Sequence, residues 1–252
     1  MTLLEALPTF LLLALALALI YLLHHRLSGL ISSLVQLAGG NMSAVALALF
    51  VVFLPGIIVH ELSHLVMARV LGLRAGRFRV WPEVQRDGIG LGSVSVEQTD
   101  AVRGSLVGAA PLITGTILLT LLGLYVLRAD EALALLAYGD WSAVARAFGA
   151  AIRGPDGLVV TYAMFAIGNM MMPSRSDRQA WRGPLLFLGM VAAFYAVVGL
   201  PADPFLAVLA WATPLFAVLN VAIFFVVLVD ILLFALLWLL VAWLRQRAPR
   251  KK

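Results

Sequence analysis

Long apolar runs, broken at intervals by short polar clusters, make up most of this chain. A helix that crosses the hydrocarbon core of a bilayer needs about 20 mostly apolar residues, and six stretches approach that requirement. They are residues 8–23, ending at His24, His25 and Arg26; 44–71; 105–127; 158–172; 184–200; and 214–244. The last is long enough to tilt or to extend beyond the membrane. Two connections have patterns of their own. In RFRVWPEVQRDGIGLGSVSVEQTD, residues 77–100, Asp87-Gly88 lies between β-branched and aromatic segments, which reads as short strands joined by turns. EALALLAYGDWSAVARAFGAAI, residues 131–152, is amphipathic and reads as a helix lying in the membrane interface or dipping into the membrane. The expected fold is an all-α polytopic membrane protein with about six transmembrane helices. A small membrane-associated β region lies between the second and third, and residues 1–252 form one membrane-embedded domain with no soluble domain attached.

Composition strengthens that picture. Apolar residues make up 63% of the chain and charged residues 12%, with a mean hydropathy of +1.02; soluble domains carry about 25% charged residues. The absence of cysteine excludes a disulfide scaffold and any thiolate metal site. The start, MTLLEALPTF, lacks the basic region of a cleaved signal peptide.

The distribution of basic residues sets the expected orientation. With six spans both termini share a side, which holds six Lys and Arg between Arg69 and Arg103, three between Arg175 and Arg182, and five from Arg245 on. The other side holds Arg26, Arg128, Arg146 and Arg153. Positive charge accumulates in the cytoplasm, so both termini and the C-terminal end of the second span are expected there. The lipid bilayer is the surrounding partner, and no nucleic-acid partner is expected. An integral multi-pass protein of a bacterial or archaeal cell membrane fits these features.

Against this background the second span is anomalous. VFLPGIIVHELSHLVMARVLG, residues 52–72, carries His60, Glu61 and His64 within five positions, and ionisable groups at membrane depth are costly and usually mark function. Residues four apart on a helix share a face, so His60 and His64 present two imidazoles to one ion. Glu61 lies where it can take a proton from an activated water. This is the HExxH arrangement, whose chemistry is zinc-assisted hydrolysis.

A zinc ion needs a third protein ligand and keeps a fourth position open. His24 and His25, the only other histidines, are read as interfacial at the far end of span one. A carboxylate is therefore expected, from Asp177, Glu83, Asp87, Glu97, Asp100 or Asp230. Asp177 stands out in GNMMMPSRSDRQAW, residues 168–181, because Pro173 would break the fourth span there. Freed backbone groups at that depth need a protein-lined or watered cavity, and Asn169 lies one to two turns deeper.

HELSH on the second span, with Asn169, Pro173 and Asp177 at the end of the fourth, resembles the site-2 protease family of intramembrane zinc metalloproteases. GAAPLITG, residues 108–115, is similar to that family's small-residue and proline motif opening the third span. The resemblance covers essentially the whole chain. It implies one Zn2+ per chain held by His60, His64 and Asp177, Glu61 as catalytic base, and Asn169 as a group holding substrate or its developing oxyanion. The substrates implied are single-span or membrane-anchored proteins. The 77–100 segment resembles the family's β region, which pairs with an unwound substrate. Gly90, Gly92 and Val94 in GIGLGSVSV are the residues expected to do so, by strand addition. The competing expectation is a membrane metal-binding or ion-transport protein without proteolytic activity, built on the same polar residues.

Overall fold

The computed structural model describes residues 3–85, 88–201 and 203–247. Eight helices and four short strands follow in the order α1 (Leu3–Leu37), α2 (Met42–Val70), β1 (Ala75–Arg79), β2 (Glu83–Gln85), β3 (Gly88–Gly90), β4 (Ser93–Val96), α3 (Ala101–Tyr125), α4 (Ala129–Ala137), α5 (Trp141–Arg153), α6 (Gly157–Met170), α7 (Arg182–Val198) and α8 (Asp203–Arg247). Five helical segments are long and apolar enough to cross a membrane: α1, α2, α3, α7 with the 3-10 turn that precedes it, and α8. The fourth expected span is the shorter α6, an apolar helix of 14 residues.

Two helices outrun the expected spans. α1 continues for 35 residues straight through His24, His25 and Arg26, because the following turns still bury Leu27 and Ile31 against α2. α8 begins at Asp203 and carries Pro214 inside it, reaching 45 residues. Proline is tolerated in membrane helices where neighbours satisfy the carbonyl it leaves free. Pro55 in α2 shows how: it has no N–H for the Val51 carbonyl, and the Tyr162 hydroxyl of α6 donates to that oxygen instead, at 2.7 Å.

α6 lies between α2 and α8. On one side Phe165 and Ala166 pack with Phe50, Phe53 and Ile57 of α2, and the rings of Phe53 and Phe165 stack at 5.5 Å. On the other, Met164 and Ile167 meet the buried face of α8 around Ala222, Ile223 and Val226. The amphipathic 131–152 stretch forms most of α4 and α5, which bury Ala132, Val144 and Phe148 toward α8. In contrast, no residue of α7 is buried.

The β region consists of two separate two-stranded antiparallel sheets, β1 with β4 and β2 with β3. Phe78 faces Val94, and Glu83 faces Gly90. Asp87 of the expected turn lies outside the described residues.

Candidate metal centre

Two helix interruptions build this site. α6 stops at Met170, three residues before Pro173, so the Met170 carbonyl has no helical N–H to accept from. The His60 Nδ1 lies 2.6 Å from that oxygen. In α3, Pro111 has no N–H to give the Val107 carbonyl four residues earlier, and the His64 Nδ1 takes its place at 2.8 Å. A carbonyl only accepts, so both Nδ1 atoms carry the proton, and each neutral ring is left with a bare Nε2 lone pair.

Those lone pairs converge. The two Nε2 atoms are 3.2 Å apart; His60 Nε2 is 3.6 Å from Asp177 Oδ2, and His64 Nε2 is 3.3 Å from Asp177 Oδ1. Three electron-pair donors at such separations repel one another unless a cation sits among them. Ligands about 2.0–2.1 Å from a tetrahedral ion are separated from one another by about 3.3–3.4 Å, close to the Nε2–Nε2 distance and to the distance from each Nε2 to the Asp177 oxygen it faces. His60, His64 and Asp177 thus form a cluster that could hold a metal ion.

Asp177 is held by its own turn. Its Oδ2 accepts from the Ser174 N–H at 2.7 Å, and its N–H donates to the Ser174 hydroxyl at 3.3 Å. Burial pushes the carboxyl up, but the hydrogen bonds from Ser174 and the two imidazoles beside it outweigh burial and hold the group at about 2. It is an anion at neutral pH.

Glycines set the close approaches. A Cβ at Gly56 would strike the Ala166 carbonyl, so α2 meets α6 one turn before His60 with only backbone between them. A Cβ at Gly108 would likewise strike the Asp177 carbonyl, which brings α3 against the ligand loop. Gly92, between β3 and β4, lies over the catalytic candidate: a Cβ there would be 2.7 Å from Glu61 Cγ and 2.9 Å from its Oε1.

A cavity of about 890 Å³ opens on the cluster. His60, Glu61, His64 and Asp177 form its floor, and Gly90, Gly92 and Val94 are part of its β wall. Hence seven of the eight residues singled out by sequence share one cavity. The eighth, Asn169, does not line it. Its amide nitrogen donates to Asp230 Oδ1 at 2.8 Å and to the Phe165 carbonyl at 2.9 Å, and the residue faces a second cavity of about 220 Å³.

The other carboxylate candidates have separate work. Glu83 pairs with Arg79 at 2.6 Å, Glu97 accepts from the Arg74 N–H, and Asp100 caps α3 through the Val102 and Arg103 N–H groups. Asp230 is wholly buried in α8. His24 is half-buried, its ring 5.0 Å from that of Phe53, and lines the second cavity with Asn169. The pairing of Asn169 with Asp230, 61 positions apart, has no local signal at all beyond the presence of two polar groups in apolar helices.

No protein-family model, curated protein or solved structure matches the chain.

Proposed function

We propose that the chain is an intramembrane zinc metalloendopeptidase of the site-2 protease type, hydrolysing peptide bonds of single-span or membrane-anchored proteins. The observation that carries this reading is the convergence of His60 Nε2 and His64 Nε2, 3.2 Å apart, on the two Asp177 carboxylate oxygens at 3.6 and 3.3 Å, beside the buried Glu61. Two imidazoles and one carboxylate are a donor set that zinc accepts while keeping a fourth position open. Zinc held there supplies a polarised scissile carbonyl and a water with its pKa lowered to about 7.

The rest falls to the chain's own groups. Glu61 takes the proton of the attacking water and hands it to the departing amine. One water is consumed: its hydroxyl ends on the carbonyl carbon and its proton on the amine nitrogen as the C–N bond breaks. The Met170 and Val107 carbonyls keep both imidazoles in the tautomer that binds metal.

A peptide bond in a transmembrane helix is shielded by its own hydrogen bonds and must be unwound first. Among the described residues β4 is paired on one edge only, by β1, and its Ser93, Val94 and Val96 line the cavity. The other edge therefore offers backbone donors and acceptors to an extended substrate segment. Asn169 has no part in this scheme as an oxyanion group, since its amide is engaged with Asp230.

The test uses purified full-length protein and a panel of tagged single-span substrates, with and without a zinc chelator, with sequencing of product ends. Wild type and Glu61→Gln are each expected to hold about one zinc per chain, while only wild type cleaves and only without chelator. Zinc-loaded wild type that cuts no member of the panel would end the peptidase reading and leave a metal-binding membrane protein.

A further inference from the structure

Asp230 has no role in the scheme above, yet it is 0% exposed in the middle of an apolar helix. Burying a carboxyl group at that depth is costly unless its oxygens are engaged. One is: Oδ1 accepts from Asn169 at 2.8 Å, while among the described residues Oδ2 has no hydrogen-bond partner. α8 comes this close to α6 because Gly168 has no side chain; a Cβ there would be 2.8 Å from Val226 Cγ1, one turn of α8 before Asp230.

What the contact anchors is the last turn of α6. Met170, Met172, Ser174 and Arg175 line both the 890 Å³ and the 220 Å³ cavity, so this segment is a partition open on two sides. Packing holds only part of this wall: Met171 is buried against Gly115 of α3, while Met170 and Met172 border open space. The Met171 N–H still closes a helical bond to the Ile167 carbonyl at 2.9 Å, but the Met170 carbonyl has no helical donor, because the Ser174 N–H is given to Asp177. The Asn169 amide, bridging Phe165 and Asp230, ties that wall to the rigid face of α8, one residue before the carbonyl that aims His60.

We propose that Asp230 is a positioning residue for the metal centre: accepting from Asn169, it locks the end of α6 against α8 and so fixes the Met170 carbonyl that orients His60. This rests on the reading of His60, His64 and Asp177 as metal ligands. The group required of residue 230 is an oxygen acceptor; a negative charge is not needed for it.

Cobalt(II) alone serves as probe, with full-length protein in detergent, its affinity measured by chelator competition and its ligand geometry by the visible absorption bands. Asp230→Leu is expected to weaken cobalt binding about tenfold or more and to shift the bands. Asp230→Asn, which keeps an oxygen facing Asn169, is expected to restore both to wild-type values. Asn169→Ala removes the donor from the other side and is expected to match Asp230→Leu, which covers the case in which the leucine variant fails to fold. Wild-type affinity and bands in Asp230→Leu or Asn169→Ala would overturn the proposal, and so would an Asp230→Asn protein as impaired as Asp230→Leu. Failure of wild type to bind cobalt, or binding that survives His60→Ala, would instead defeat the metal reading on which it stands.

Discussion

His60 and His64 each have one ring nitrogen committed to a backbone carbonyl, at 2.6 and 2.8 Å, and that commitment decides what the other nitrogen can do. Glu61 is governed in a different way, by what lies over it. Gly92 touches its side chain closely enough that any Cβ would displace either the loop or the carboxylate. Gly92→Val is therefore expected to keep the metal, since no ligand moves, and to lower cleavage by about 10²-fold through displacement of the proton acceptor. Metal content and turnover measured on the same preparation check this. Full activity in the valine variant would mean that the loop stands clear of Glu61 during turnover.

At the scale of elements, proline does more than interrupt. Pro111 leaves the Val107 carbonyl free inside α3, and His64 uses it. Pro111→Ala would return an N–H to compete for that oxygen, in a residue type favoured in helix interiors by about 3 kcal/mol over proline. The expected result is a protein folded at least as stably as wild type but with metal affinity weakened about tenfold. Unchanged affinity in a chelator titration would show that His64 does not depend on the freed carbonyl. The HELSH pair was legible in the sequence because helical periodicity alone puts both imidazoles on one face. Asp177 was legible because Pro173 announced a break beside it. The continuation of α1 past Arg26 and of α8 back through Pro214 was not legible, since both depend on neighbours that satisfy or bury what the local pattern marks as an end. Asn169 was recognised as polar at depth, but its partner lies on another helix, and the direction of a side chain around α6 is set by which helix packs there.

At the scale of the whole molecule, helices of unequal length share one slab of lipid. α5, with Val144 and Phe148 buried on one face and Arg146 exposed on the opposite one, is the helix whose pattern reads as lying in the interface or dipping into the membrane. From there the 14 residues of α6 reach about 21 Å, against a hydrocarbon thickness of about 30 Å. With α6 starting at an interface, the loop after it would lie beneath the opposite surface, and lipid beside it would have to thin, or headgroups and water dip inward, for the polar turn at Ser174–Asp177 to stay solvated. The shortfall becomes a gauge of acyl-chain length: reconstituted in bilayers of progressively longer lipids, the protein is expected to cleave more slowly as its hydrated dimple becomes harder to maintain. Rates indifferent to lipid length would place the loop at the surface instead.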